Sequence, residues 1–173
     1  MKFITLTTLS LVSFLLTFNL PSANAATNDE AFTVYLVRHA EKVLDQKNPP
    51  LTSCGVKRAE QLAVMLEQAD LKSIYSTQYT RTEQTAAPLA KKLGFTVKPY
   101  SPRDLATFSQ QIKQQKSNVL IVGHSNTSPQ LTALIANTQV ENITEKEYQM
   151  LYQVHFSSGK AHLTVLKQPW TCQ

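Results

Sequence analysis

Cysteine is scarce in this chain of 173 residues, with one at position 54 and one at 172. No Cys-x-x-Cys pair and no His-x-x-x-His pair occurs, so the spacings that hold zinc are missing. A phosphate-cradling loop ending in Gly-Lys-Ser/Thr is missing too, and no metal or cofactor is expected. Charged residues make up only 17% of the chain, and Lys57-Arg58 and Lys91-Lys92 are its only adjacent basic pairs. No aromatic residues interleave them, which argues against nucleic acid as a partner. The net charge of +5 therefore reads as a mildly cationic surface that favours small anionic ligands. Beyond the first two dozen residues no apolar run could cross a bilayer, and no repeat, low-complexity stretch or linker divides the chain.

What is present begins with a leader. Met1-Lys2 is followed by an apolar run from Phe3 to Leu20, then by Pro21 and Ala23-Asn24-Ala25, the small-x-small pattern of a signal-peptidase site. Six hydroxyl residues dilute the run, which is weak for a permanent anchor. Residues 1–25 are thus expected to be a cleaved signal peptide and residues 26–173 one exported domain, periplasmic or secreted, with no stable membrane insertion. Cleavage leaves 148 residues with a net charge of +4, since Lys2 is lost. An oxidising compartment allows Cys54 and Cys172 to pair, or to remain two unrelated thiols.

Phe32 to Val37 reads as a buried strand ending at Arg38. Thr52 or Ser53 can cap a helix with apolar positions Val56, Ala59, Leu62, Ala63 and Leu66. Ser73–Ser76 is a short strand, about 79–93 a helix stopped by Gly94, and Phe95–Lys98 a third strand. Ser101-Pro102-Arg103-Asp104 reads as a capping box opening the next helix from Ser101. Asn118–Val122 is an apolar strand running into Gly123-His124-Ser125-Asn126, and a helix through Leu131, Leu134 and Ile135 follows. Met150–Phe156 and Ala161–Leu166 form a hairpin. The alternation predicts a single three-layer α/β domain, a mainly parallel sheet flanked by helices.

Ligands of such sheets bind beyond the carboxyl ends of the strands. His39 and His124 each follow a buried strand there, whereas His155 and His162 fall inside the hairpin. Arg38 precedes His39, and Arg81 opens the helix after the second strand. Arginine's planar fork suits phosphate oxygens, so two arginines and two histidines at one sheet edge make a compact dianion site.

Arg38-His39-Ala40-Glu41 resembles the Arg-His-Gly motif of the histidine phosphatase superfamily, with alanine in place of glycine. Leu51-Thr52-Ser53-Cys54-Gly55 with Ala59 and Leu62-Ala63, the segment Ser76 to Ala86, and Val122-Gly123-His124-Ser125-Asn126 are similar to its further motifs, in family order. The resemblance is to the phosphoglycerate mutase-like group, in particular its small bacterial phosphohistidine-phosphatase-like branch. It implies a phosphatase acting on small phosphorylated substrates. His39 would take the phosphoryl group as phosphohistidine, and Arg38, Arg81 and His124 would bind phosphate. The general acid departs from the family pattern. Ser125 stands where one branch has aspartate, and between Arg81 and His124 only Glu83 and Asp104 are acidic. Glu41 or Asp104 is the expected acid, Glu41 by proximity. The alternatives are an inactive member that binds anions, a mutase, and a serine hydrolase using Ser125 in Gly123-His124-Ser125-Asn126-Thr127, which lacks the last glycine of a nucleophile elbow.

Overall fold

The computed structural model describes residues 31–172, so the leader read at 1–25 lies outside the described residues. Ten elements run along the chain: β1 (Phe32–Arg38), α1 (Ser53–Leu66), β2 (Ser73–Ser76), α2 (Thr80–Leu93), β3 (Lys98–Pro99), α3 (Leu105–Gln115), β4 (Val119–Gly123), α4 (Thr127–Ala136), β5 (Met150–Ser157) and β6 (Lys160–Lys167). The strands form one sheet in the order β3-β2-β4-β1-β5-β6. β3, β2, β4 and β1 pair in parallel, while β5 and β6 add an antiparallel hairpin. Ser158 and Gly159 at positive φ, 49° and 73°, make its two-residue turn. No helix among the described residues is long and apolar enough to cross a membrane.

Alternation along the central strands builds two cores, because successive side chains leave a strand on opposite faces. Val34 and Leu36 of β1 and Val119 and Ile121 of β4 pack with Phe108, Ile112, Leu131 and Ile135 of α3 and α4. Val37, Leu120 and Val122 face the other way, onto Leu62, Leu66, Leu89 and Ala90 of α1 and α2. The sheet is therefore covered on both faces. Val56 and Leu134, which fit the helical spacing, are left partly in solvent, 43% and 41% exposed.

Two expected elements differ. The strand read at Phe95–Lys98 shrinks to Lys98–Pro99, because the Phe95 N–H bonds Ala90 O and closes the end of α2 around left-handed Gly94. The helix read from Ser101 begins later: Asp104 itself is the N-cap of α3, accepting from the Thr107 N–H at 3.1 Å. Thr52, one of the two caps expected for α1, accepts from the Gly55 N–H at 3.0 Å. Cys54 and Cys172 are joined by a disulfide that ties α1 to the C-terminal segment, with Cα atoms 5.8 Å apart.

Candidate active site

The carboxyl ends of the four parallel strands deliver His39 (β1), Tyr79 and Arg81 (after β2), Arg103 (after β3) and His124 (β4) to one edge. A cavity of about 610 Å³ lies there, lined by these residues together with Lys42, Pro102, Ser125, Asn126, Thr127 and Glu145. Gly123 lets α4 begin close to the strand end, since a Cβ there would meet the hydroxyls of Tyr100, Ser128 and Thr127 at 2.8–2.9 Å. Ser128 Oγ donates to Val37 O at 3.0 Å, and the Ala40 N–H donates to Thr85 Oγ1 at 2.9 Å. Both helices that flank the site are thereby pinned to the strand carrying His39.

His39 is 2% exposed and its Nδ1 lies 2.8 Å from Ala40 O. A carbonyl only accepts, so Nδ1 carries the proton and Nε2 keeps its lone pair. Burial pushes the imidazole pKa down to about 3, aided by the charges of Arg38 and Arg81, while the Ala40 bond opposes. The ring is neutral at ordinary pH.

His124 lies with its ring centroid 5.6 Å from that of His39, and its tautomer follows from a chain of hydroxyls. Thr82 Oγ1 donates to the carbonyls of Thr77 and Tyr79, so it accepts from Thr77 Oγ1 at 3.0 Å. Thr77 Oγ1 has then spent its proton and accepts from His124 Nε2 at 3.0 Å. His124 Nδ1 is left bare and accepts from Arg81 Nη2 at 3.3 Å. Burial and then the charges of Arg81 and Arg38 lower its pKa to about 4. Tyr79 holds the pair, its ring under the Arg81 guanidinium (4.6 Å) and edge-on to His124 (5.1 Å).

Arg38 is 1% exposed and lies beneath the segment before β5. Nη1 donates to the carbonyls of Thr144 (2.9 Å) and Glu147 (3.1 Å), Nη2 to the Glu145 carboxylate at 2.6 Å, and Tyr148 stacks on the fork at 4.2 Å. The Nε atoms of Arg38 and Arg81 are buried without a hydrogen-bond partner. Among the described residues, Glu145 is the one carboxylate on the cavity lining. It also accepts from Ser125 Oγ, and that bond, followed by the charges of Arg38 and Lys42, holds it below the usual carboxylate range.

The two acids expected from sequence are engaged elsewhere. Glu41 forms a paired bond with Arg58 (Nε to Oε2 at 2.9 Å, Nη2 to Oε1 at 2.6 Å), and Asp104 caps α3 at the surface. Neither lines the cavity. Glu83, on α2, is exposed. His155 bonds Thr33 Oγ1 at 3.0 Å and faces His162 across the hairpin. Glu41, Cys54 and Cys172 lie close enough to suggest a metal site, but both sulfurs are bridged and the carboxylate is held by Arg58. Sequence reading missed Glu145, Lys42, Tyr79 and Arg103. Glu145 sits in irregular chain after α4, outside the stretch between Arg81 and His124, and no periodic or motif signal marks it.

Residues 34–105 match the family model described as histidine phosphatase superfamily, branch 1. That segment, which carries Arg38, His39 and Arg81, is similar to the histidine phosphatase superfamily. Among curated proteins, the chain is 38% identical over 65 residues to the Proteus mirabilis (strain HI4320) protein named "Probable phosphoglycerate mutase GpmB", covering 34% of this chain and 30% of that one. Its namesake in Yersinia pestis (strain Pestoides F) is 34% identical over 71 residues, 37% of this chain and 33% of that one. The chain thus spans about a third of the length of the curated relatives it matches. Solved structures extend the likeness over the fold. The protein histidine phosphatase SixA complexed with tungstate has a TM-score of 0.64 at 17% identity, covering 79% of this chain and 97% of that one. The alpha-ribazole phosphatase of Shigella flexneri has 0.59 at 17%, covering 79% and 97%.

Proposed function

We propose that this protein is an exported phosphatase that hydrolyses phosphomonoesters through a phosphohistidine on His39. The observation that carries the reading is the state of His39: a neutral imidazole with its proton committed to Ala40 O and Nε2 free, beside the Arg81 fork. In the first step Nε2 attacks phosphorus and the P–O bond to the alcohol breaks. In the second, water attacks the phosphohistidine and gives its proton to His124 Nδ1, the P–N bond breaks, and Nε2 regains its lone pair. Arg81 and the start of α4 face the charge on the equatorial oxygens. A dianion that reaches Arg38 displaces Glu145 from it. The same dianion offsets the positive field that keeps His124 deprotonated, so His124 Nδ1 takes up a proton and hands it to the leaving oxygen. The carboxylates of Glu41 and Asp104 are already bonded away from this space.

Export rests on the Ala23-Asn24-Ala25 pattern, and the exported protein should begin at Ala26 by mass spectrometry. His39→Ala should abolish hydrolysis of p-nitrophenyl phosphate and the acid-labile phosphoenzyme trapped by quenching. Ser125→Ala should keep substantial activity, vanadate should inhibit, and chelators should not. A dead Ser125→Ala beside an active His39→Ala would replace this mechanism with a serine hydrolase.

A further inference from the structure

The reaction at His39 leaves one cation of the cavity without a task. Arg38 and Glu145 balance each other, which leaves Lys42, Arg81 and Arg103 positive on the lining, while both histidines are neutral. A phosphate dianion balances two of these three charges. Among the described residues, the Arg103 guanidinium bonds no side chain and stacks on no ring.

Its backbone is nevertheless firmly placed. The Arg103 N–H donates to Ser101 Oγ at 3.3 Å, Pro99 and Pro102 restrict the chain before it, and Asp104 caps α3 directly after it. Tyr79, Pro102 and Arg103 line the His39 cavity and also an adjoining groove of about 370 Å³ that continues along Tyr100 and Ser101. The alcohol part of an ester bound at His39 would leave the cavity along this groove. Its walls are two tyrosine rings, two prolines and the neutral polar side chains of Gln78 and Ser101, so Arg103 is the one charged residue on its lining among the described residues.

We propose that Arg103 forms a second anion subsite, selecting phosphomonoesters whose alcohol part carries a further oxyanion, a carboxylate or second phosphate. This rests on the phosphatase reading. The test compares 4-(carboxymethyl)phenyl phosphate with its neutral carboxamide, whose leaving groups are alike. The expected ratio of kcat/KM is about five- to tenfold in favour of the carboxylate, carried by KM, as for a partly exposed charge pair. Arg103→Gln should bring the ratio close to one, Arg103→Lys should keep part of it, and added salt should shrink it. A wild-type ratio near one, or a preference that survives Arg103→Gln, overturns the subsite while leaving the phosphatase standing. If neither ester is turned over, calorimetric binding of the same pair decides. Selective binding of the carboxylate that Arg103→Gln removes upholds the subsite and discards the phosphatase reading; equal binding, or none, overturns the subsite.

Discussion

Burying two histidines beside two arginines has a thermodynamic consequence that can be read in stability. In the unfolded chain each histidine takes a proton near pH 6.5, whereas in the fold His39 does so near 3 and His124 near 4. Between those values the unfolded state binds more protons, so stability rises with pH across the window and is lost as pH falls from about 6.5 toward 4. Thermal melts of the wild type should show falling midpoints over that range. His39→Gln should flatten the slope, and an unchanged slope would contradict the buried neutral ring. Much of this residue-level picture was legible beforehand: a histidine and an arginine at strand ends carry their chemistry with them. The placement of the carboxylates was not. Glu41 is only two residues from His39, but Arg58 takes its carboxylate, and Glu145 reaches the cavity only because the chain after α4 folds back over Arg38.

At the scale of elements, the first turn of α1 controls the loop that follows His39. Gly55 lies so near the chain after His39 that a Cβ would stand 2.2 Å from Glu41 O and 3.0 Å from Glu41 N. Glycine to alanine within a helix ordinarily gains up to about 1 kcal/mol. Here the backbone at Glu41 must move, so Gly55→Ala should instead cost about 1–3 kcal/mol. Turnover should fall with it, because Ala40 O holds the His39 proton. Denaturant titration and kcat check this together, and a stabilised, fully active variant would refute it. Helix spacing in the sequence located α1 and α4, most of whose apolar positions face the sheet, and Gly94 marked the end of α2. The sequence pattern misplaced the start of α3, because Ser101 and Asp104 are both good caps. Only the surrounding fold decides which of them receives the free N–H groups.

For the whole molecule, the C-terminal end of the described chain is held to α1 by the Cys54–Cys172 disulfide, which spans 118 positions. Arg58 Nη1 adds a bond to Trp170 O at 2.8 Å, and Lys57 lies over the Trp170 ring at 5.8 Å. A bridge closing so long a loop stabilises by about 2–5 kcal/mol. The unreduced, denatured protein should label with no thiol reagent, and reduction or Cys172→Ser should lower the melting temperature. An unchanged midpoint after reduction would show that the bridge contributes nothing. By itself the sequence determined the alternation of strands and helices, and the sheet edge that brings His39 and His124 together beside Arg81. These follow from local periodicity and from side-chain chemistry that no fold alters. The tertiary structure alone decided which carboxylates are spent on structure, which tautomer each histidine holds, and that Arg38 lies under Glu145. Those depend on which groups meet across distant segments, and a buried charge or proton goes to whatever partner the packing brings within bonding distance.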